Sequence, residues 1–554
     1  MAMRRFKFGL LGSALAVALL VVGVIAITST RGSALAATAD PAACSPNTDI
    51  QTVDGPVCGT TASGVNEWFG IPYAAPPVGS LRWQPPQAPT PWTATLAATS
   101  FGSECIQGTA ASPAGSEDCL YLNVWRPADS STSLPVLVHI HGGGFFNGSG
   151  NGDNSLLAAR GDVIVSMNYR LNIFGFLADG ALGAHSGDYG LQDQQAALRW
   201  VQSNIAAFGG DPGNVTIYGE SAGGSSVCDQ IASPTANGLF ERGISVSGEY
   251  NTLLGTQEQA PRTPEDLESQ DCKSTLPTQA EANAAGRNFA AAVGCGPGTA
   301  NVVACLQALP PTAIEQAAWT PGSGYQYGGQ GTVAPTINGT TLTMSLRQAL
   351  KAGKVNHVRV IAGTDRDEDL VGTATSAAQY QSLVDTQYGR YASQVLAKYP
   401  LSRFDSPGIA WRTVAADSDT VCPSLQTDRD LASRMPTYGY EIDDNDIPPY
   451  TPAGPGVVAP GASHVGAWFL TPTATPLDAN QQVLQDQELA FVTAFSRTGN
   501  PNSNGLLPVW PRFNPSNNPA EMSLQPAGDS EVVTAAQVAA QHNCAFWDKL
   551  APNP

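Results

Sequence analysis

Asn214-Val-Thr-Ile-Tyr218 runs directly into Gly219-Glu-Ser-Ala-Gly223. The first five residues are β-branched and aromatic enough to read as a short buried strand. The next five are a G-x-S-x-G, and a helical pattern follows them. A serine at a strand–turn–helix junction sits on a sharp turn at the carboxyl end of a sheet, with its hydroxyl presented outward. The glycines on either side permit a tight backbone path that a Cβ would obstruct. A plain Ser-Gly turn needs no such setting, so Ser221 reads as a nucleophile.

The flanking sequence supplies the rest of the sheet. Leu134–Ile140, Asp162–Asn168, Arg242–Ser247, Val358–Ala362 and Thr437–Ile442 are further apolar runs of strand length. Between them, Leu191, Leu198, Val201, Ile205 and Phe208 fall at helical spacing and predict a helix over 189–208. Residues 480–497 read as another helix, ended by Gly499 and Pro501. Strands alternating with helices predict βαβ units and a mostly parallel sheet flanked by helices. The stretch from Thr252 to about Ala285 is polar with weak periodicity and reads as a surface excursion. Residues 445–462 are rich in Pro, Gly and Ala and read as a loop.

Composition narrows the class of function. The chain has 554 residues, a formal charge of -19, 42% hydrophobic residues and only 13% charged ones. No cationic excess is available to neutralise phosphates, which argues against a nucleic-acid partner. No heptad or 20–50-residue repeat occurs, so coiled coils and solenoids are excluded. Residues 1–36 read as an export signal: Arg4, Arg5 and Lys7 precede an apolar run from Gly9 to Ile27, and Ala34-Leu-Ala36 forms a small-x-small cleavage site. An uncleaved anchor is the alternative, because the run is nearly long enough to span a bilayer. Residues 37–554 then form a single folded domain, secreted or held at the membrane by that segment. Ten cysteines in an exported chain, with no C-x-x-C pair, predict disulfides and no metal site.

A serine nucleophile needs a base, and the base needs an orienting carboxylate. In a sheet of this type the chain order is Ser, acid, His. Only His357, His464 and His542 follow Ser221. His357 opens a strand, and His542 lies in a helical stretch beside Cys544. His464, in the loop after the sixth strand, is therefore the candidate base. The acid should follow the strand at 358–362, but Gly363-Thr-Asp-Arg-Asp-Glu-Asp369 holds four acids and spacing does not choose among them. His141-Gly-Gly-Gly-Phe145 follows the strand at 134–140. Consecutive glycines let backbone N–H groups reach a substrate oxygen, so this loop and the N–H of Ala222 form a candidate oxyanion hole. A phosphate-binding loop is excluded, since no GK[ST] follows.

These motifs resemble the type-B carboxylesterase/lipase family, α/β-hydrolases that include cholinesterases and bacterial p-nitrobenzyl esterases. Phe69-Gly-Ile-Pro-Tyr-Ala74, Ser116-Glu-Asp-Cys-Leu-Tyr-Leu-Asn123, Tyr189-Gly-Leu-Gln-Asp-Gln194 and Phe208-Gly-Gly-Asp-Pro212 carry the likeness beyond the serine and glycine motifs. The resemblance implies an α/β-hydrolase fold and a serine carboxylesterase that uses no cofactor and takes a small-molecule ester. It implies Glu368 as the acid, with Asp367 as the fallback because Asp369 replaces the family's glycine. It implies Gly143, Gly144 and Ala222 as oxyanion donors, with Ser247 and Glu220 in support. The acidic residue often found three positions after the base is Ala467 here. The family's disulfides correspond to Cys105–Cys119, Cys295–Cys305 and Cys422–Cys544. Proximity then suggests Cys44–Cys58, and the remainder is Cys228–Cys272. The family also contains lipases and non-catalytic adhesion proteins. The intact motifs disfavour the latter, and no Trp lies between Cys105 and Cys119 to form a choline site.

Overall fold

The computed structural model describes residues 44–249, 276–318, 335–368, 374–444 and 476–550, except 110, 111, 130, 504, 506 and 507, together with Cys272, Leu470 and Thr471. The expected export segment at 1–36 and the loop at 445–462 lie outside these residues. So does most of the 252–285 stretch. Its described end is not an irregular excursion: Gln279–Ala292 is a helix. The Thr278 hydroxyl and the Glu281 carboxylate cap each other's backbone N–H groups there, and an alanine-rich run follows. A weak apolar stripe hid a strong start signal.

Among the described residues, eleven strands form the central sheet. They are β1 (Thr60–Ala62), β2 (Val65–Pro72), β3 (Tyr121–Pro127), β4 (Leu134–Ile140), β5 (Val163–Met167), β6 (Gly210–Glu220), β7 (Arg242–Val246), β8 (Arg359–Asp365), β9 (Thr437–Ile442), β10 (Ala520–Leu524) and β11 (Glu531–Thr534). Their spatial order is β11-β10-β9-β8-β7-β6-β4-β5-β3-β2-β1. From β5 to β10 every neighbouring pair is parallel, and the pairs at both margins are antiparallel. This is the α/β-hydrolase architecture. The six strands expected from sequence are β4 to β9. The missed ones, β1, β2, β3, β10 and β11, lie at the two margins of the sheet. In β2 the ladder slips between Trp68 and Ile71, and Gly70 at φ +69 takes up the slip.

The two-residue alternation of the strands divides the core. Val136, Val138 and Ile140 of β4 pack on one face with Leu191, Leu198 and Val201 of α1 (Tyr189–Asn204) and with Val227 and Ile231 of α2 (Ala222–Ala232). Leu137, Ile244, Ile361 and Tyr440 point the other way, onto Leu484, Phe491 and Phe495 of α3 (Ala479–Thr498). Burial on both faces explains why the central strands are almost continuously apolar. Helix α1 ends at Asn204 and continues to Phe208 as a 3₁₀ turn, shorter than the predicted span. Helix α3 matches its prediction closely, with Gly499 at φ 70 terminating it.

Five disulfides are present: Cys44–Cys58, Cys105–Cys119, Cys228–Cys272, Cys295–Cys305 and Cys422–Cys544. Just before Cys422, residues Asp417–Val421 make a π-helical turn. No described helix is long and apolar enough to cross a membrane.

Candidate active site

Strand register brings the candidate residues to one edge of the sheet. Ile140, Gly219, Ser245, Ala362 and Gly439 lie in one row across β4, β6, β7, β8 and β9. The segments that leave these strands therefore emerge side by side at the carboxyl end, where open α/β sheets bind ligands. They carry His141–Gly144, Ser221, Ser247 and Glu368. The segment after β9 would carry His464, which lies outside the described residues, as does Ala467.

Ser221 is the N-cap of α2, with φ 56 and ψ -121. A non-glycine residue at positive φ needs surrounding structure to hold it. Two backbone hydrogen bonds do so: Ser221 N–H donates to Val246 O at 2.9 Å, and Ser225 N–H donates to Ser221 O at 2.8 Å. The turn is also packed against the end of β4. A Cβ on Gly219 would lie 2.5 Å from the Ile140 carbonyl oxygen, and one on Gly223 would lie 2.0 Å from it. Only glycine fits at either place. Ser221 itself is 7% exposed.

The glycine loop lies beside the serine, since a Cβ on Gly142 would be 3.3 Å from Ser221 Cβ. Gly143 and Gly144 have φ of +99 and +62. Inside the loop, the N–H groups of Phe146 and Asn147 both donate to Gly143 O, at 3.1 and 3.0 Å. The N–H groups of Gly143, Gly144 and Ala222 donate to no described residue. Three unused backbone donors, one at the start of α2, make a setting suited to an anion.

Glu368 is 2% exposed and follows β8. Thr364 donates a short hydrogen bond to Glu368 Oε2, and the Ser247 and Thr364 hydroxyls are 3.4 Å apart. Thr364, which holds the candidate acid, was not singled out by the sequence. Its place four residues before Glu368, at the end of β8, was the available signal. Asp367 is engaged elsewhere: it pairs with Arg366 at 2.5 Å, and Arg366 also contacts Asp443. Asp365 is buried within β8 itself. Glu220, next to Ser221, has its carboxyl pushed up to about 8, first by burial and then by the charge of Glu368.

Three other histidines are set apart by their surroundings. Burial holds His139 down at about 3 and His141 at about 4. His542 is buried between two acids, with Nδ1 2.6 Å from Asp417 and Nε2 2.9 Å from Glu441. Among the described residues, one group of potential metal ligands converges, Cys228, Glu249 and Cys272. Its two sulfurs are bonded to each other.

Residues 46–547 match the carboxylesterase family. The chain belongs to that family. It is a carboxylic ester hydrolase. This carboxylesterase is 50% identical over 226 residues to the para-nitrobenzyl esterase of Bacillus subtilis (strain 168), a match covering 39% of this chain and 46% of that one. It is 31% identical over 538 residues to the human cocaine esterase, covering 88% of each. Among solved structures it resembles PNB esterase with a TM-score of 0.70 at 26% identity, over 90% of this chain and 99% of the other.

Proposed function

We propose that this carboxylesterase is an exported serine enzyme that cleaves carboxylic esters through a Ser221–His464–Glu368 triad and an acyl-enzyme. The observation that carries the reading is Ser221 held at positive φ on the N-terminus of α2, beside three backbone N–H groups that donate to none of the described residues. In the first step His464 takes the Ser221 proton as Oγ attacks the ester carbonyl. The N–H groups of Gly143, Gly144 and Ala222 receive the charge that develops on the carbonyl oxygen. The alcohol leaves with the proton from His464. Water, activated by the same imidazole, then releases the acid and restores the serine. Glu368 orients the imidazole, and its hydrogen bond from Thr364 fixes the carboxylate in turn. Burial and the charge of Glu368 disfavour ionisation of Glu220, next to Ser221. The five disulfides support export, because they form and persist in oxidising compartments.

The pH profile tests the base. Burial pushes His139 down to about 3 and His141 to about 4, and Asp417 and Glu441 push His542 up to about 10, away from the reference imidazole range. A catalytic His464 with the reference value of about 6.5 would give kcat/KM an acid limb of about tenfold per pH unit below that value. The measurement is kcat/KM for p-nitrophenyl acetate from pH 4.5 to 8.5. A flat profile down to pH 4.5 rules out an imidazole base. A panel of p-nitrophenyl esters from two to sixteen carbons, with and without an emulsified interface, separates an esterase from a lipase.

A further inference from the structure

We infer that Gln107, inside the hairpin closed by Cys105–Cys119, is a positioning residue for the oxyanion donors. Its carboxamide pairs with the backbone of Gly148 in both directions. Gly148 N–H donates to Gln107 Oε1 at 2.9 Å, and Gln107 Nε2 donates to Gly148 O at 3.0 Å. The side chain is anchored on its own element, with Nε2 also donating to Cys105 O at 3.1 Å. Gln107 thus replaces a strand partner for the far end of the glycine loop.

Gly148 in turn bears on the donors. It sits at φ +104, and a Cβ there would lie 2.6 Å from both Gly142 O and His141 Nδ1. The Gly142 carbonyl is held from a second side by His141 Nδ1, at 2.8 Å. Gly142 C=O and Gly143 N–H belong to one planar peptide and point in opposite directions. Fixing the carbonyl therefore aims the Gly143 N–H. Gln107 thus holds Gly148, Gly148 lies so near the Gly142 carbonyl that no side chain fits between them, and that carbonyl shares its peptide with the Gly143 donor. The disulfide-closed hairpin becomes a brace for the loop beside Ser221.

The inference rests on Gly143 acting as an oxyanion donor, so the test reads the two separately. A trifluoromethyl ketone and the methyl ketone of the same chain length are compared as inhibitors. The fluorinated ketone is attacked by the serine and leaves an oxyanion; the methyl ketone reports ground-state binding. In the unaltered enzyme the fluorinated ketone should bind at least a hundredfold more tightly. If it does not, the oxyanion reading itself fails. In Gln107→Ala that preference should fall at least tenfold, kcat should fall in parallel, and KM should stay within about twofold. Gln107→Glu keeps the acceptor for Gly148 N–H and loses the donor to Gly148 O, so it should fall between the two. A preference unchanged in both variants overturns the proposal, as does a loss confined to KM or to thermal stability.

Discussion

Ser221→Ala is expected to lower kcat toward p-nitrophenyl butyrate by about 10⁶-fold, with the thermal midpoint almost unchanged. The size follows from the serine and imidazole working as one unit, so that losing either removes most of what the pair supplies. What survives, about 10³–10⁴ over water, comes from the oxyanion donors and from binding. The fold should tolerate the change. Alanine has the same Cβ, and the positive φ at this position is enforced by the hydrogen bonds to Val246 and Ser225 and by the packing on Ile140. Mass spectrometry after exposure to a phosphonate ester should find the label on the Ser221 peptide in the unaltered enzyme and nowhere in the variant. A variant that keeps a tenth of the normal rate would remove Ser221 from the mechanism.

His542→Ala is expected to reduce the unfolding free energy by about 3–5 kcal/mol, because it strands two buried carboxylates without their cation. Both ring nitrogens face carboxylate oxygens, Nδ1 toward Asp417 and Nε2 toward Glu441. Two acceptors flanking one ring favour the imidazolium. Burial opposes that charge, but the hydrogen bond to Asp417 and the charges of Asp417 and Glu441 outweigh it and push His542 up to about 10. Burial also pushes the Asp417 carboxyl up, against the opposing pull of His542, Tyr399 and Asn543. The geometry favours the charged pair. A folded-state value above the unfolded one makes this contribution fully present below about pH 6.5. It is lost as the pH rises through 10. Urea unfolding of both proteins at pH 7 and pH 10.5 should therefore show a gap that narrows at high pH. A gap under about 1 kcal/mol at pH 7 would mean that the cluster is held together without the cation.

Much of the candidate site could be proposed from sequence because its residues are tied to strand ends. A run such as Leu134–Ile140 followed by three glycines, or Asn214–Tyr218 followed by Gly-x-Ser-x-Gly, combines a period and a turn signal that few other structures share. Strands β2, β3, β10 and β11 carried no comparable mark. The β2–β3 ladder is broken by a register shift between Trp68 and Ile71, and β10 and β11 are short strands of five and four residues. The choice of Glu368 within a four-acid loop came from resemblance. The physical difference between it and Asp367 lies in burial and in the reach of Thr364 and Arg366, which are three-dimensional facts. The same holds for His542, whose two acids lie 125 and 101 residues earlier in the chain.

The wide turn at Asp417–Val421 places an added residue within what would otherwise be an uninterrupted helix. Each residue of an α-helix advances the side chains by about 100°. Deleting one residue here would rotate Asp417 and Cys422 relative to each other by about that angle. One of them would lose its partner on the C-terminal segment, His542 or Cys544. The added residue thus lets a single helical stretch present two side chains to the same target. A lineage that lost it would have to give up either the cation clamp or the covalent staple.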